Sequence, residues 1–210
     1  MRNAHLRVGL VVALLALAAM TVGCTPQPVV LDYKVAPVTE HDTVAVNLSG
    51  QTLTVSPFAD ARTTNVVVDK RPLREGDNIG IWIANALQME LSQAGAKVDK
   101  LPAGERPATG KHISGRVNQV KSERYGWGPG GFIAAAIGTG YSANIDLTVD
   151  LMIDAVQVLS KEYRINKKVN ANAAEVILVG GHGDVTKALQ ISLCELIRTQ
   201  ILPDIANEVK

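Results

Sequence analysis

The side chains able to do chemistry are few and scattered along this chain. Its two cysteines are Cys24 and Cys194. A disulfide framework in a small exported domain uses an even set of cysteines inside the folded part, and these two do not provide one. Cys194 stands alone in an apolar helical pattern and reads as a small buried hydrophobe. Downstream of Cys24 the histidines are His41, His112 and His182. No pair has the HExxH-type spacing that places two imidazoles on one helix face for zinc, so no metal site is expected. Asp146, Asp150 and Asp154 recur every fourth residue, which on a strand is one face. Buried together they would repel one another, so they read as a solvated face or a weak cation site. No Ser-His-Asp set is identifiable. No catalytic residue is assigned, and the expectation is a non-enzymatic protein with no cofactor.

Two glycine-rich stretches also invite a chemical reading. Gly126-Trp127-Gly128-Pro129-Gly130-Gly131 formally matches G-x-G-x-x-G. A dinucleotide site needs that loop to open a helix whose free amides receive the phosphate. The run from Phe132 to Ile137 is too short before Gly138 and Gly140 to form one, so the match reads as chance. The same segment carries Trp127, Phe132, Ile133 and Ile137 between two long strands. In one reading these apolar side chains fold back onto the sheet. In the other they stay exposed and contact a membrane or a partner, as large exposed apolar patches do. Gly180-Gly181-His182-Gly183-Asp184 reads as a turn into the last helix, with the Asp184 carboxylate capping its amides.

The start of the chain is more informative. Residues 8 to 20 form an uninterrupted apolar run preceded by Arg2 and Arg7 and followed by Thr21-Val22-Gly23-Cys24. A basic start, a short apolar run and a small-residue cleavage site describe a secretory signal peptide. The run falls short of the about 20 residues a helix needs to span a bilayer. Removing residues 1 to 23 takes only Arg2 and Arg7 from the 21 basic residues, which leaves 19 against 20 acids. So even a balance gives no basic footprint for nucleic acid and no polybasic patch for anionic lipid heads.

Met20-Thr21-Val22-Gly23-Cys24 resembles the bacterial lipobox, in which a small residue precedes the cysteine that receives diacylglycerol. Gly23 and Cys24 match that pattern, while Thr21 departs from the leucine usual three places before the cysteine. The resemblance implies cleavage between Gly23 and Cys24 and lipidation of Cys24. Each buried methylene of the acyl chains contributes about 0.8 kcal/mol, so such an anchor is effectively permanent. The next residue, Thr25, is not the Asp that retains Gram-negative lipoproteins at the inner membrane, which by analogy implies an outer-membrane address with the domain facing the periplasm.

Residues 24 to 42, with Pro26, Pro28 and Pro37, are expected to be an extended tether, and residues 43 to 210 a single domain. Strands are expected at Thr43–Leu48, Thr52–Val55, Val66–Val68, Lys111–Val120, Asn144–Asp154 and Tyr163–Val169 from period-two alternation. Asp77 is expected to cap a helix with an apolar stripe of Ile79, Ile83, Leu87, Leu91 and Ala94, and Gly95 to stop it. A last helix is expected from Asp184, with Pro203 bending or ending it. The fold class implied is α+β, a mainly antiparallel sheet with two amphipathic helices packed on one face.

The lipobox, the Pro-rich tether, the strand ending in Ser56-Pro57-Phe58, the helix closing on Gly95, the long strands and the C-terminal helix together resemble the YajG-like family of bacterial lipoproteins. CsgG-like secretion components and transport-auxiliary lipoproteins look similar in layout. The YajG-like family has no assigned reaction, so the resemblance implies a location and an architecture but no active site. The function expected is that of a lipid-anchored envelope lipoprotein with an accessory or scaffold role and an envelope protein partner. The alternative is a lipid-anchored auxiliary subunit of an envelope transport or secretion machine.

Overall fold

The computed structural model describes residues 29–33, 46–68, 71–125, 140–170 and 183–210. Its spine is a meander of three long strands, β6 (Lys111–Tyr125), β7 (Gly140–Ile153) and β8 (Val156–Asn170), each antiparallel to the next. In β7, Tyr141, Ala143, Ile145, Leu147, Val149 and Leu151 are buried, while Ser142, Asn144, Asp146, Thr148 and Asp150 between them are half-buried. This is the alternation the sequence carries, extended by four residues at its start. The β7–β8 turn is Asp154-Ala155, both at positive φ (49° and 63°), the backbone of a two-residue hairpin whose twist suits the strands it joins. The Asp154 carboxylate accepts a hydrogen bond from the Gly110 amide at 2.8 Å, which holds the turn against the start of β6.

The rest of the sheet is parallel to β6 or antiparallel to its own neighbour, so the sheet is mixed rather than mainly antiparallel. β1 (Thr52–Val55) runs parallel to both β5 (Lys97–Lys100) and β6, and the short strands β2 (Ala59–Asp60) and β3 (Val66–Val68) also lie parallel to β6. β3 pairs antiparallel with β4 (Arg71–Pro72). The cause is the connection: α1 (Ile79–Gln93) lies between β1 and β5, and a helical crossover returns the chain in the same direction. The strand expected over Thr43–Leu48 is not seen at Val46–Leu48. There the Leu48 amide donates to the Ala94 carbonyl at the end of α1, 2.7 Å away, and so does not join a ladder.

The cap of α1 is Asn78, one residue later than expected. Its side-chain oxygen accepts from the Gly80 and Ile81 amides at 2.8 and 3.2 Å, while Asp77 instead pairs with Arg74 at 2.9 Å. Gly95 ends the helix at φ 95° as expected, in a conformation that favours glycine. The C-terminal run is α2 (Gly183–Leu196), a π-helical turn (Ile197–Ile201) and α3 (Leu202–Glu208). Pro203 neither ends nor breaks it. Within the π turn the Leu202 amide reaches back to the Ile197 carbonyl, and this wider spacing accommodates a residue without an amide donor.

α1 lies against β1, β2, β5 and β6, the C-terminal run against β6, β7 and β8, and the two touch each other. Their common core includes Leu53, Phe58, Ile83, Leu87, Ile113, Leu147, Leu193 and Ile197. Two glycines make close approaches possible. A Cβ on Gly115 would sit 2.1 Å from the Thr148 carbonyl oxygen and 2.5 Å from the Phe58 ring, and one on Gly80 would sit 1.8 Å from the Phe58 carbonyl oxygen.

Residues 29–33, inside the stretch expected to be a tether, belong to this body. Val29 forms a parallel bridge with Leu73, donating to the Pro72 carbonyl and accepting from the Arg74 amide, both at 3.0 Å. Val29 and Tyr33 are buried, Leu31 is half-buried, and Val30 and Asp32 between them face out.

Candidate functional site

The docked segment 29–33 and α1 line a cleft of about 370 Å³ together with the turn Gly76–Asn78 and Lys100. Its floor is Trp82, whose indole meets the Tyr33 ring edge-on at a centroid distance of 6.5 Å. Ile81 and Met89 stand at its rim, 47% and 41% exposed. The polar lining is partly committed, because Lys100 Nζ donates to Asn85 Oδ1 at 2.8 Å. The buried indole Nε1–H of Trp82 and one oxygen of Asp77 have no hydrogen-bond partner.

Beneath the cleft lies a buried polar cluster. Glu90, on the inner side of α1, accepts from the Tyr33 hydroxyl at 2.6 Å and pairs with Arg198 of the π turn at 2.7 Å, with a second contact at 3.3 Å. Arg198 also donates to Gln93 at 3.2 Å, and the Cys194 thiol reaches Glu90 at 3.6 Å. A carboxylate and a guanidinium excluded from water require each other, so this set ties the N-terminal segment, α1 and the C-terminal run together. Burial, followed by the Glu90 carboxylate, drives the Tyr33 hydroxyl far above the normal phenol range. The same two causes push the Cys194 thiol up to about 11. Since the nucleophile is the thiolate, Cys194 is a buried, unreactive residue at neutral pH.

A serine–histidine pair that no spacing announces sits across β1 and β6. Ser56 Oγ lies 2.7 Å from His112 Nε2, and both residues are buried. Ser56 Oγ also donates to the Glu105 carbonyl at 3.2 Å. His112 Nδ1 has no partner to orient it. Burial, with the nearby Arg106 cation, lowers the His112 pKa and favours the neutral ring. The pair is a structural hydrogen bond.

Asp146 and Asp150 on β7, and Asp154 in the turn after it, are also committed. Asp146 accepts from Asn118 at 2.9 Å and pairs with Arg164 at 2.7 Å, Asp150 accepts from Ser160 at 2.6 Å, and Asp154 holds the Gly110 amide. Among the described residues no group of three His, Cys, Asp or Glu is placed to hold a metal ion. No helix of the described residues is long and apolar enough to cross a membrane.

The residues assigned from sequence to cleavage, lipidation and partner contact all lie outside the described residues: Gly23 and Cys24 at the expected cleavage and lipidation site, and Trp127, Phe132, Ile133 and Ile137 in the glycine-rich connection. His41 and His182 lie outside them too. Sequence reasoning missed the Tyr33–Glu90–Arg198 cluster, although a signal existed. Glu90 is the sole charged residue of α1 and lies seven residues from Ile83, which puts it on the apolar stripe.

No known family model matches the chain, and no curated protein matches it in sequence. In three dimensions it is similar to a Xanthomonas campestris protein of family DUF330, with a TM-score of 0.53 at 14% identity over 87% of this chain and 94% of that one. Looser likenesses include a minor lipoprotein from Acinetobacter baumannii, with a TM-score of 0.40 at 11% identity over 75% and 91% of the two chains. Another is lipoprotein GNA1162 from Neisseria meningitidis, at 0.37 and 13% over 75% and 99%. These two scores lie below the level at which a fold is shared. The chain therefore has the fold of the Xanthomonas protein.

Proposed function

We propose that this chain is a cell-envelope lipoprotein, anchored by lipid on Cys24 at the outer membrane, whose periplasmic domain acts as a non-enzymatic accessory or scaffold. The observation that carries the reading is the order Arg2, Arg7, the apolar run 8–20 and Gly23-Cys24. Export, cleavage and acylation each need one part of that order. The domain adds support. Its buried polar groups, Glu90 with Arg198 and Ser56 with His112, are occupied in holding elements together. Metabolic labelling with an alkynyl fatty acid tests the anchor. The wild-type protein takes up label and Cys24→Ala does not, whereas equal labelling of the two would place the lipid elsewhere.

A further inference from the structure

The outward side of α1 is unusual for a surface helix, which normally turns charged side chains to water. Its outward residues Ile81, Asn85, Gln88, Met89, Ser92 and Gln93 carry no charge, and its one charged residue, Glu90, is buried. Ile81 and Met89, two of the large apolar side chains most exposed among the described residues, lie at the rim of the cleft that Leu31 also lines. Val30, 49% exposed, is next to Leu31. An uncharged face dotted with apolar side chains fits an occupant that is itself apolar.

The chain length says which one. Val29 is fixed to the Leu73 backbone on both sides, and only residues 25 to 28 separate it from Cys24. Five peptide steps in this Pro-containing stretch reach about 16 to 18 Å. A domain of this size is about 40 Å across, so the anchor holds the Val29 side of the molecule at the bilayer. We propose that the cleft face of α1, on which Ile81 and Met89 are exposed, rests on the membrane surface that carries the lipid on Cys24. This rests on the lipoprotein reading above. Charges of both signs border the face, in Asp32, the Arg74–Asp77 pair and Lys100, so no net charge draws it to anionic lipid and the contact, being apolar, resists salt.

The test uses the full-length protein, extracted from membranes and reconstituted into vesicles of phosphatidylethanolamine and phosphatidylglycerol, with single cysteines at Ile81→Cys, Met89→Cys or Val158→Cys bearing an environment-sensitive fluorophore. These positions are exposed, and Cys194 is buried and stays unlabelled. The expected result is a blue shift and severalfold brightening at 81 and 89, unchanged in high salt, with no change at 158 on β8. Protein that floats with the vesicles but shows no change at 81 and 89 overturns the orientation and leaves the anchor standing. Protein whose Cys24 carries no lipid and that does not float overturns both. A change at 158 equal to that at 81 overturns the orientation. So does a change at 81 and 89 in detergent alone with a doubled mass, which would give the face to a second copy of the chain.

Discussion

Arg198 Nε lies 2.7 Å from Glu90 Oε2, across 108 residues of sequence, with Arg198 on the π turn and Glu90 on the inner side of α1. Both are almost wholly buried, so neither charge has water to fall back on. Removing one partner leaves the other charge buried and alone, which costs about 3–5 kcal/mol. Glu90→Ala and Arg198→Ala should each lower urea-denaturation stability by about that amount. Glu90→Leu combined with Arg198→Met should lose much less than the two single changes together, because no orphan charge remains.

Tyr33 donates to the same carboxylate at 2.6 Å. Tyr33→Phe removes a hydrogen bond to a charged acceptor, a loss of about 1.5–3 kcal/mol. Its more specific effect is local. Amide exchange in residues 29–33 should speed up well before exchange in β7, because Tyr33 pins that segment to α1.

His112 makes stability depend on pH. Its pKa is lowered in the folded state by burial and then by Arg106, so below neutrality the unfolded chain binds the proton more readily. Stability therefore rises with pH across this range. It falls as pH drops through the unfolded value of about 6.5 and levels off below the lowered folded value. His112→Gln should flatten that part of the curve measured in urea melts between neutral and mildly acid pH.

Cys194 should be inert in the folded protein. With its thiol raised to about 11 and buried, iodoacetamide at pH 8 should leave it unmodified for as long as the protein stays folded. Modification should become rapid in denaturant, and peptide mass spectrometry reads the difference.

Gly115→Ala should be strongly destabilising. The added Cβ would meet the Thr148 carbonyl at 2.1 Å and the Phe58 ring at 2.5 Å, and forced overpacking of this kind costs about 1–3 kcal/mol. The thermal midpoint should fall, and Phe58→Leu in the same chain should recover part of the loss.

Much of the fold is legible in the sequence where the two faces of an element meet different environments. β7 alternates because one side is core and the other is half-wet, and the stripe of α1 follows its buried side. β5 and the first half of β8 escape notice because their residues are mostly exposed, so no apolar period marks them. The parallel direction of β1 and β5 follows from the helix between them, but the pairing of β1 with β6 on its other side is a tertiary choice that no local pattern encodes. The segment 29–33 was legible in principle: Val29, Leu31 and Tyr33 alternate with Val30 and Asp32, but the flanking prolines dominate its reading. Of the site clusters only Glu90, a lone charge on the apolar stripe of α1, left a mark in the sequence; its partners did not. Ser56 meets His112, and Glu90 meets Arg198, through long-range packing.

On the proposed reading, Cys24 becomes the lipid-bearing N-terminus of the mature protein. The most direct measurement is the intact mass of the chain extracted from membranes, with fragmentation of its first residues. The expected species is a chain beginning at Cys24 with a mass increment of acyl and glyceryl groups on that residue. A chain still carrying residues 1–23, or one with an unmodified Cys24 thiol, would contradict that reading.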